Sequence, residues 1–256
     1  MAAHACFELA SIAAALGPLA GRFDIDVLAE CDSTNARLVA RAEAGAPSGL
    51  VIVAERQTAG RGRMGRTWVS APGDSLTFSL LWRLPTGRPI DGLSLAVGVA
   101  IADTLTAIGI EAITLKWPND ILLGGRKLGG VLIELAASAA VIGIGLNLRL
   151  PAELPADLLP IAAALGQPVD ANELLAKLLS GLHSALETFA TGGFAAMRGR
   201  WQAFNAYVGA EVQVLSPFAP PLIGRCRGVA DDGALLLETV RGIERVISGD
   251  VSLRRA

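Results

Sequence analysis

Histidine is nearly absent from this chain of 256 residues: only His4 and His183 occur. A zinc centre built on imidazoles, or a Ser/His/Asp triad, would have to use one of them. His4 stands close to a terminus. His183 falls within residues 172–189, where Leu174, Leu175, Leu178, Leu179, Leu182, Leu186 and Phe189 mark one helical face, so it reads as a histidine packed beside a helix. Cysteine is almost as scarce. Cys6, Cys31 and Cys226 are odd in number, widely separated and without CxxC spacing, which argues against a disulfide framework or a zinc knuckle. Neither sign of charge is in surplus, with 22 Lys and Arg against 24 Asp and Glu for a net of -2. That balance does not suit a protein whose main work is gripping a polyphosphate backbone, so any anion site must be local. Long apolar runs are missing too. Hydrophobic residues make up 52% of the chain and the mean hydropathy is +0.49. Yet the longest stretch without a charge, residues 135–148, contains two glycines and an asparagine and falls short of the ~20 apolar residues that a spanning helix needs. The Ala-rich N-terminus has no basic residue before Arg22 and carries Glu8, so it does not have the form of a secretory signal. A cytoplasmic protein with no membrane partner is the expectation.

At ~150 residues per domain the length predicts one large domain with a small appendage. Residues 33–44 follow Asp32 and Ser33, good N-cap chemistry, and stop at Gly45, which predicts a short helix. Residues 50–54 form a compact aliphatic strand, and Leu76, Phe78, Leu80 and Trp82 alternate as strand residues do. Apolar residues from Leu93 to Ile108 recur at three and four, opened by Asp91 and closed by Gly109, which predicts an amphipathic helix. Residues 113–117 read as strand, Asn119 as turn, and residues 121–123 and 128–135 as strands meeting at the tight Gly124-Gly125 turn. Another strand covers 141–148. A proline-rich stretch leads to the helix at Asn172, with Asp170 and Glu173 in capping-box spacing, and a second helical segment covers 194–205. From Tyr207 the pattern changes to short strands at 211–215, 224–229, 234–238 and 245–247, which predicts a small barrel. Residues 1–206 are thus read as the main domain and 207–256 as the appendage. The fold class is α+β with a mixed or antiparallel sheet.

Gly60, Gly62 and Gly65 in GRGRMGRT match the dinucleotide fingerprint in spacing, and the string approaches a P-loop with Arg66 in place of lysine. Both mechanisms need a helix whose N-terminal amides meet the phosphate. The next residues are Trp68, Val69, Ser70, Ala71, Pro72 and Gly73, which start no helix. Arg61, Arg63 and Arg66 nevertheless crowd among glycines, and two such charges ~4 Å apart repel by about 4 kcal/mol. The loop is therefore expected to be mobile until an anion neutralises it, closing as a guanidinium lid over a phosphate or carboxylate.

Three further strings stand in order with that loop: Asp32-Ser33-Thr34-Asn35, Lys116-Trp117-Pro118-Asn119-Asp120, and Arg126-Lys127-Leu128-Gly129-Gly130-Val131-Leu132-Ile133-Glu134. With Gln57, Trp68, the 142–147 strand and the GALLLE string at 233–238, the chain closely resembles the bacterial biotin protein ligases from about Ala29 onward. The resemblance implies an α+β catalytic domain with a central mixed sheet and a small C-terminal SH3-like β-barrel. It also implies a two-step reaction. Biotin and ATP, with Mg2+ expected, give biotinyl-5'-adenylate and pyrophosphate, and the biotin then passes to a lysine of a biotin carboxyl carrier protein.

By that resemblance Ser33, Thr34, Asn35 and Gln57 hydrogen-bond the biotin head, while Gly60, Arg61, Gly62 and Arg63 close over the acyl phosphate. Trp68 helps form the adenine side. Lys127 is the main catalytic candidate, bridging carboxylate and α-phosphate, with Arg63 and Asp120 beside it. Gly129 and Gly130 let the backbone approach the ligand, Leu132 lines the apolar chain pocket, and Gly143 and Gly145 leave room on a neighbouring strand. No metal-ligand set is named. Only about 30 residues precede Ser33, so a monofunctional ligase without a DNA-reading domain is expected, with no nucleic acid as partner. The family's exposed sheet edge offers a docking surface for the carrier or for a second subunit as a homodimer. Two other readings share features with this one: a lipoate or octanoate ligase, and a regulator that binds biotin without turnover.

Overall fold

The structure is a computed structural model, and it describes residues 7–83, 85, 87, 89–152, 154–216, 219–247 and 252–255. His4 and Cys6 lie outside the described residues. In chain order the elements begin with α1 (Leu9–Leu16), β1 (Asp24–Cys31), α2 (Thr34–Glu43), β2 (Leu50–Gln57), β3 (Ser75–Trp82) and α3 (Leu93–Ala107). They continue with β4 (Ile113–Lys116), β5 (Asp120–Leu123), β6 (Arg126–Ala136), β7 (Ala139–Asn147), α4 (Ala171–Gly192) and α5 (Arg198–Phe204). The last are β8 (Glu211–Ser216), β9 (Ala219–Val229), β10 (Leu235–Thr239), β11 (Gly242–Val246) and β12 (Ser252–Arg255). The chain divides into two compact units, residues 1–88 with 126–183, and residues 89–125 with 184–256.

In the first unit five strands lie in the order β1-β2-β3-β7-β6. The β1–β2 pair is parallel and the others are antiparallel, so the sheet is mixed, as expected. Helix α2 starts where Ser33 caps it, its hydroxyl accepting from the Ala36 amide at 3.4 Å. Leu38 and Ala42, four residues apart, share one helix face and pack on Leu50, Ile52, Leu81, Ala136, Ala139 and Val141 of the sheet. Burying a leucine there contributes about 1.5–3 kcal/mol. His183, in α4, sits edge-on to the rings of Phe23 and Trp82 at 6.3 and 5.7 Å, the packed histidine the sequence predicted.

The second unit holds the β4–β5 hairpin, in which Lys116 faces Asp120 across the turn. Trp117 in that turn is buried and donates its indole N–H to the Gly233 carbonyl at 3.0 Å. After β5 the chain turns at Gly124 and Gly125, both at left-handed φ (57° and 78°), the conformation their spacing predicted. Strands β8 to β12 form a separate antiparallel sheet ordered β11-β10-β9-β8-β12. Two details correct the sequence reading. The sheet has a fifth strand, β12, and the helical segment 194–205 is broken at Met197 (φ -114°) into a 3-10 turn and the short α5. In α4, which spans the division between the units, Asp170 accepts from the Asn172 and Glu173 amides at 2.8 and 3.1 Å and so caps the helix, while the Glu173 carboxylate pairs with Lys177 at 2.8 Å.

Candidate active site

The site begins with the alternation of β3. Leu76, Phe78, Leu80 and Trp82 fall on one face, which leaves Ser75, Thr77 and Ser79 on the other, and all of them are buried. Across the ladder, Ser75, Thr77 and Ser79 oppose Asn147, Gly145 and Gly143 of β7. Gly145 and Gly143 in turn oppose Gly130 and Leu132 of β6. Paired residues share a face, so the middle of this sheet presents hydroxyls and glycines side by side. The space left by the missing side chains is used. A Cβ on Gly143 would fall on the Asn35 amide, and one on Gly145 would lie 2.5 Å from the Trp68 ring.

Asn35 enters from the first turn of α2, beside Ser33 and Thr34, and all three are buried. Buried polar groups must be paired, and these find their partners in α2, β2, β3 and β6. The Thr34 amide donates to Gln57 Oε1 at 2.7 Å, and its hydroxyl lies 3.0 Å from the same atom. Ser79 Oγ is 2.7 Å from Thr34 Oγ1 and 2.6 Å from Asn35 Oδ1. The Asn35 amide nitrogen donates to Glu134 Oε2 at 2.8 Å and lies 3.4 Å from the Leu132 carbonyl. The Gln57 amide donates to Ser70 Oγ at 2.9 Å, and the Trp68 indole N–H approaches Thr77 Oγ1 at 3.4 Å. Beside this cluster Asp32 is held below the usual carboxylate range by its hydrogen bond from Arg37, at 2.8 Å, while burial pushes the Cys31 thiol up.

The glycine-arginine loop is a closed hairpin. Arg61 and Thr67 form a bridge, the Trp68 amide donates to the Gly60 carbonyl at 2.9 Å, and the Gly62 amide donates to that of Arg66 at 2.7 Å. Its tip is a single 3-10 turn, Arg63–Gly65, with Met64 at φ 57°. The loop leads into no α-helix, in agreement with setting aside the phosphate-loop motifs. Gly60 is required: a Cβ there would lie 2.5 Å from the Trp68 carbonyl oxygen and 2.9 Å from the Gln57 amide nitrogen. The Arg61 guanidinium lies 3.4 Å from the Glu134 carboxylate, an internal counter-charge.

Lys127 is the second residue of β6 and is half-buried. Its carbonyl accepts from the Ala163 amide at 2.7 Å, and Asn147 Nδ2 donates to the Ala163 carbonyl at 2.9 Å. The proline-rich stretch is thereby tied to the start of β6 and the end of β7. Ser33, Thr34, Asn35, Gln57, the loop, Trp68, Lys127, Gly130, Leu132, Gly143 and Gly145 therefore all belong to the first unit. Asp120 belongs to the second unit, where its carboxylate pairs with Lys116 at 3.0 Å. Ser70, Thr77, Ser79 and Asn147 were assigned no role from sequence, and neither was Glu134. The signal for the β3 hydroxyls was present: the alternation that picked out Leu76 to Trp82 puts small polar residues at every other position. Among the described residues no group of three His, Cys, Asp or Glu converges to hold a metal ion, and no helix is long and apolar enough to cross a membrane.

Residues 28–149 match the biotin/lipoate A/B protein ligase family, and residues 208–254 match the biotin protein ligase C terminal domain. The chain is 37% identical to the bifunctional ligase/repressor BirA of Escherichia coli K12, over 94% of this chain and 77% of that protein. It is 34% identical to the biotin acetyl-CoA-carboxylase ligase of Mycobacterium tuberculosis, over 92% of this chain and 91% of that one. A biotin protein ligase from Aquifex aeolicus, solved in complex with biotin and ATP, superposes with a TM-score of 0.82 at 34% identity, covering 91% of this chain and 99% of that one.

Proposed function

The chain belongs to the biotin/lipoate A/B protein ligase family, and from that membership we propose that it is a biotin protein ligase, joining biotin to a lysine of a biotin carboxyl carrier protein at the expense of ATP. The observation that carries the choice of biotin within the family is the polar cluster of buried Thr34, Asn35 and Ser79 with half-buried Gln57, on the face of the sheet that carries the β3 hydroxyls. A cyclic urea offers two N–H donors and a carbonyl to such a cluster; a dithiolane or an alkyl chain offers nothing to it and would leave buried polar groups facing hydrocarbon, at about 1–3 kcal/mol each.

In the first step a biotin carboxylate oxygen attacks the α-phosphorus of ATP. The bond from that phosphorus to the β-phosphate oxygen breaks, pyrophosphate leaves, and biotin and AMP are joined as a mixed anhydride. In the second, the neutral amine of the acceptor lysine attacks the acyl carbon, the carbon–oxygen bond to AMP breaks, and an amide forms with loss of one proton. Neither step needs a protein nucleophile. Both need the reactants held in line and the negative charge offset, which is work for cations and not for imidazoles. Lys127 and Arg63 are assigned to the charge between carboxylate and α-phosphate, and Gly60, Arg61 and Gly62 to the loop that closes above it. Leu132 lines the site of the apolar chain, Gly130 gives the ligand access to the sheet, Gly143 and Gly145 make room for Asn35 and Trp68, and Trp68 flanks the adenine. Asp120 stays in the proposed set on its sequence motif alone. Mg2+ would arrive with the nucleotide as MgATP, held largely by phosphate oxygens and water. Residues 1–206 are assigned to catalysis and 207–256 to the accessory β-domain.

The test is incubation of the purified chain with biotin, MgATP and a biotin-acceptor domain, read by streptavidin and by the mass of the acceptor. ATP-dependent gain of one biotinyl group is the expected result. Lipoyl or octanoyl transfer in its place would overturn the assignment, and binding of biotin without turnover would make the chain a sensor.

A further inference from the structure

The hydrogen-bond chain around Thr34 has a direction, and it can be worked out atom by atom. Glu134 is a carboxylate and accepts only, so the Asn35 group facing it at 2.8 Å is the amide NH2, and the Asn35 oxygen is turned toward Ser79. An amide oxygen brings no proton. The 2.6 Å contact between Ser79 Oγ and Asn35 Oδ1 therefore takes the single hydroxyl proton of Ser79. Ser79 has none left for Thr34, so the 2.7 Å contact between the two hydroxyls takes the proton of Thr34. Gln57 Oε1, supplied by the Thr34 backbone N–H at 2.7 Å, offers its second lone pair 3.0 Å from the Thr34 hydroxyl, so by either route that proton points into the protein. The Thr34 hydroxyl has thus directed its only proton into the protein, and toward a ligand it can only accept. Ser79 is 0% and Asn35 3% exposed, which keeps water from supplying alternative protons and reversing the chain.

We propose that Ser79 and Glu134 are positioning residues: through Asn35 they fix the Thr34 hydroxyl as a hydrogen-bond acceptor, and so select a ring N–H of a cyclic urea. The proposal rests on the biotin reading given above. Neither residue has to touch the ligand. Glu134 supplies the fixed acceptor end of the chain, and Ser79 passes its polarity across the sheet to the helix terminus. Removing Ser79 leaves the Thr34 proton only the longer contact at 3.0 Å to a Gln57 oxygen already in use, so it can turn outward, and removing the acceptor at 134 leaves the Asn35 amide only the 3.4 Å contact with the Leu132 carbonyl, too long to hold it against rotation by half a turn.

Calorimetric titration separates this role from a merely structural one. Biotin and two cyclic carbamates, each with one of the two ring N–H groups replaced by oxygen, are titrated into the full-length wild type, S79A, E134Q and E134L. The wild type should bind one of the carbamates at least about tenfold more weakly than biotin, the loss of a hydrogen bond to a buried acceptor. S79A and E134L should each weaken biotin by about tenfold and leave the affinity for that carbamate nearly unchanged, because the N–H they serve is already gone. E134Q retains an amide oxygen for Asn35 and should stay within about threefold of the wild type. Equal weakening of biotin and both carbamates by S79A and E134L would overturn the proposal, as would a wild type that binds all three ligands alike, a result that needs no variant to fold. A wild type that binds none of them overturns the biotin reading itself.

Discussion

Replacing Gly143 by alanine tests the site at its tightest point. The new methyl would fall on the Asn35 amide, which is not a loose side-chain end: it donates to Glu134, abuts the Leu132 carbonyl and accepts from Ser79. To admit the methyl, Asn35 must leave that position. The bond to the Glu134 carboxylate is of the charged kind, contributing about 1.5–3 kcal/mol, and the bond from Ser79 contributes about 0.5–1.5 kcal/mol. These do not add fully, since Asn35 can recover part of the loss elsewhere, and the expected destabilisation is about 2–4 kcal/mol in urea unfolding. Gly145→Ala is the matched control. Its methyl meets the Trp68 ring and leaves Asn35 alone. In biotin-dependent ATP-pyrophosphate exchange, Gly143→Ala should raise the KM for biotin by at least about tenfold and the KM for ATP by less than about threefold, whereas Gly145→Ala should act mainly on the KM for ATP. Wild-type stability and kinetics in Gly143→Ala, or the same effect on both substrates from both variants, would refute the assignment of the two ends of the glycine face.

The remaining predictions concern charge and access. Lys127→Ala should lower kcat/KM for exchange by well over tenfold, about 2 kcal/mol or more of barrier, with unfolding unchanged; unaltered exchange would remove Lys127 from catalysis. Asp32 has its pKa lowered by Arg37, so its contribution to stability is present above the ordinary carboxylate pKa and is lost as pH falls through the lower, folded value. Asp32→Asn should therefore be slightly less stable than wild type at pH 7, by under about 1 kcal/mol for so exposed a pair, and equal to it at pH 2, as followed by urea unfolding at each pH. Burial raises the pKa of Cys31, so its thiol should react with a disulfide reagent far more slowly at pH 8 in the folded protein than in urea; equal rates would contradict its burial. Trypsin should cut within residues 60–66 of the free protein, and biotin with MgATP should slow that cleavage, whereas equal rates would remove the closing role of the loop.

The features legible in the sequence were those that repeat or that punctuate. Helix α2 announced itself by its cap, the β6 entry by two glycines and β3 by alternation, whereas α3, expected to be amphipathic and opened by Asp91, is buried on every side from Leu95 to Ala102 and has Gly92 as its N-cap. Strand β1 escaped because it runs along the margin of its sheet, pairs only with β2, and buries only Ile25 and Cys31 of its eight residues, so it shows no alternation. Helix α1, an alanine-rich stretch that buries only Ile12 and Leu16, has too narrow an apolar stripe to stand out. Among the site residues, Thr34, Asn35 and Gln57 were identified from the motif as ligand contacts, but their bonds to one another were not, since those depend on strands that are distant in sequence. Glu134 lies 99 residues from Asn35 and 73 from Arg61, and nothing local marks a carboxylate in a strand as their common partner.

Fixed cations and a urea-reading cluster are together held to let this chain join biotin to AMP. The most direct test is to mix the purified protein with biotin and MgATP, without any acceptor, and to measure the protein-bound product by mass spectrometry and the pyrophosphate released. Biotinyl-5'-adenylate with one pyrophosphate per site is the expected result. Bound biotin and intact ATP with no mixed anhydride would contradict it.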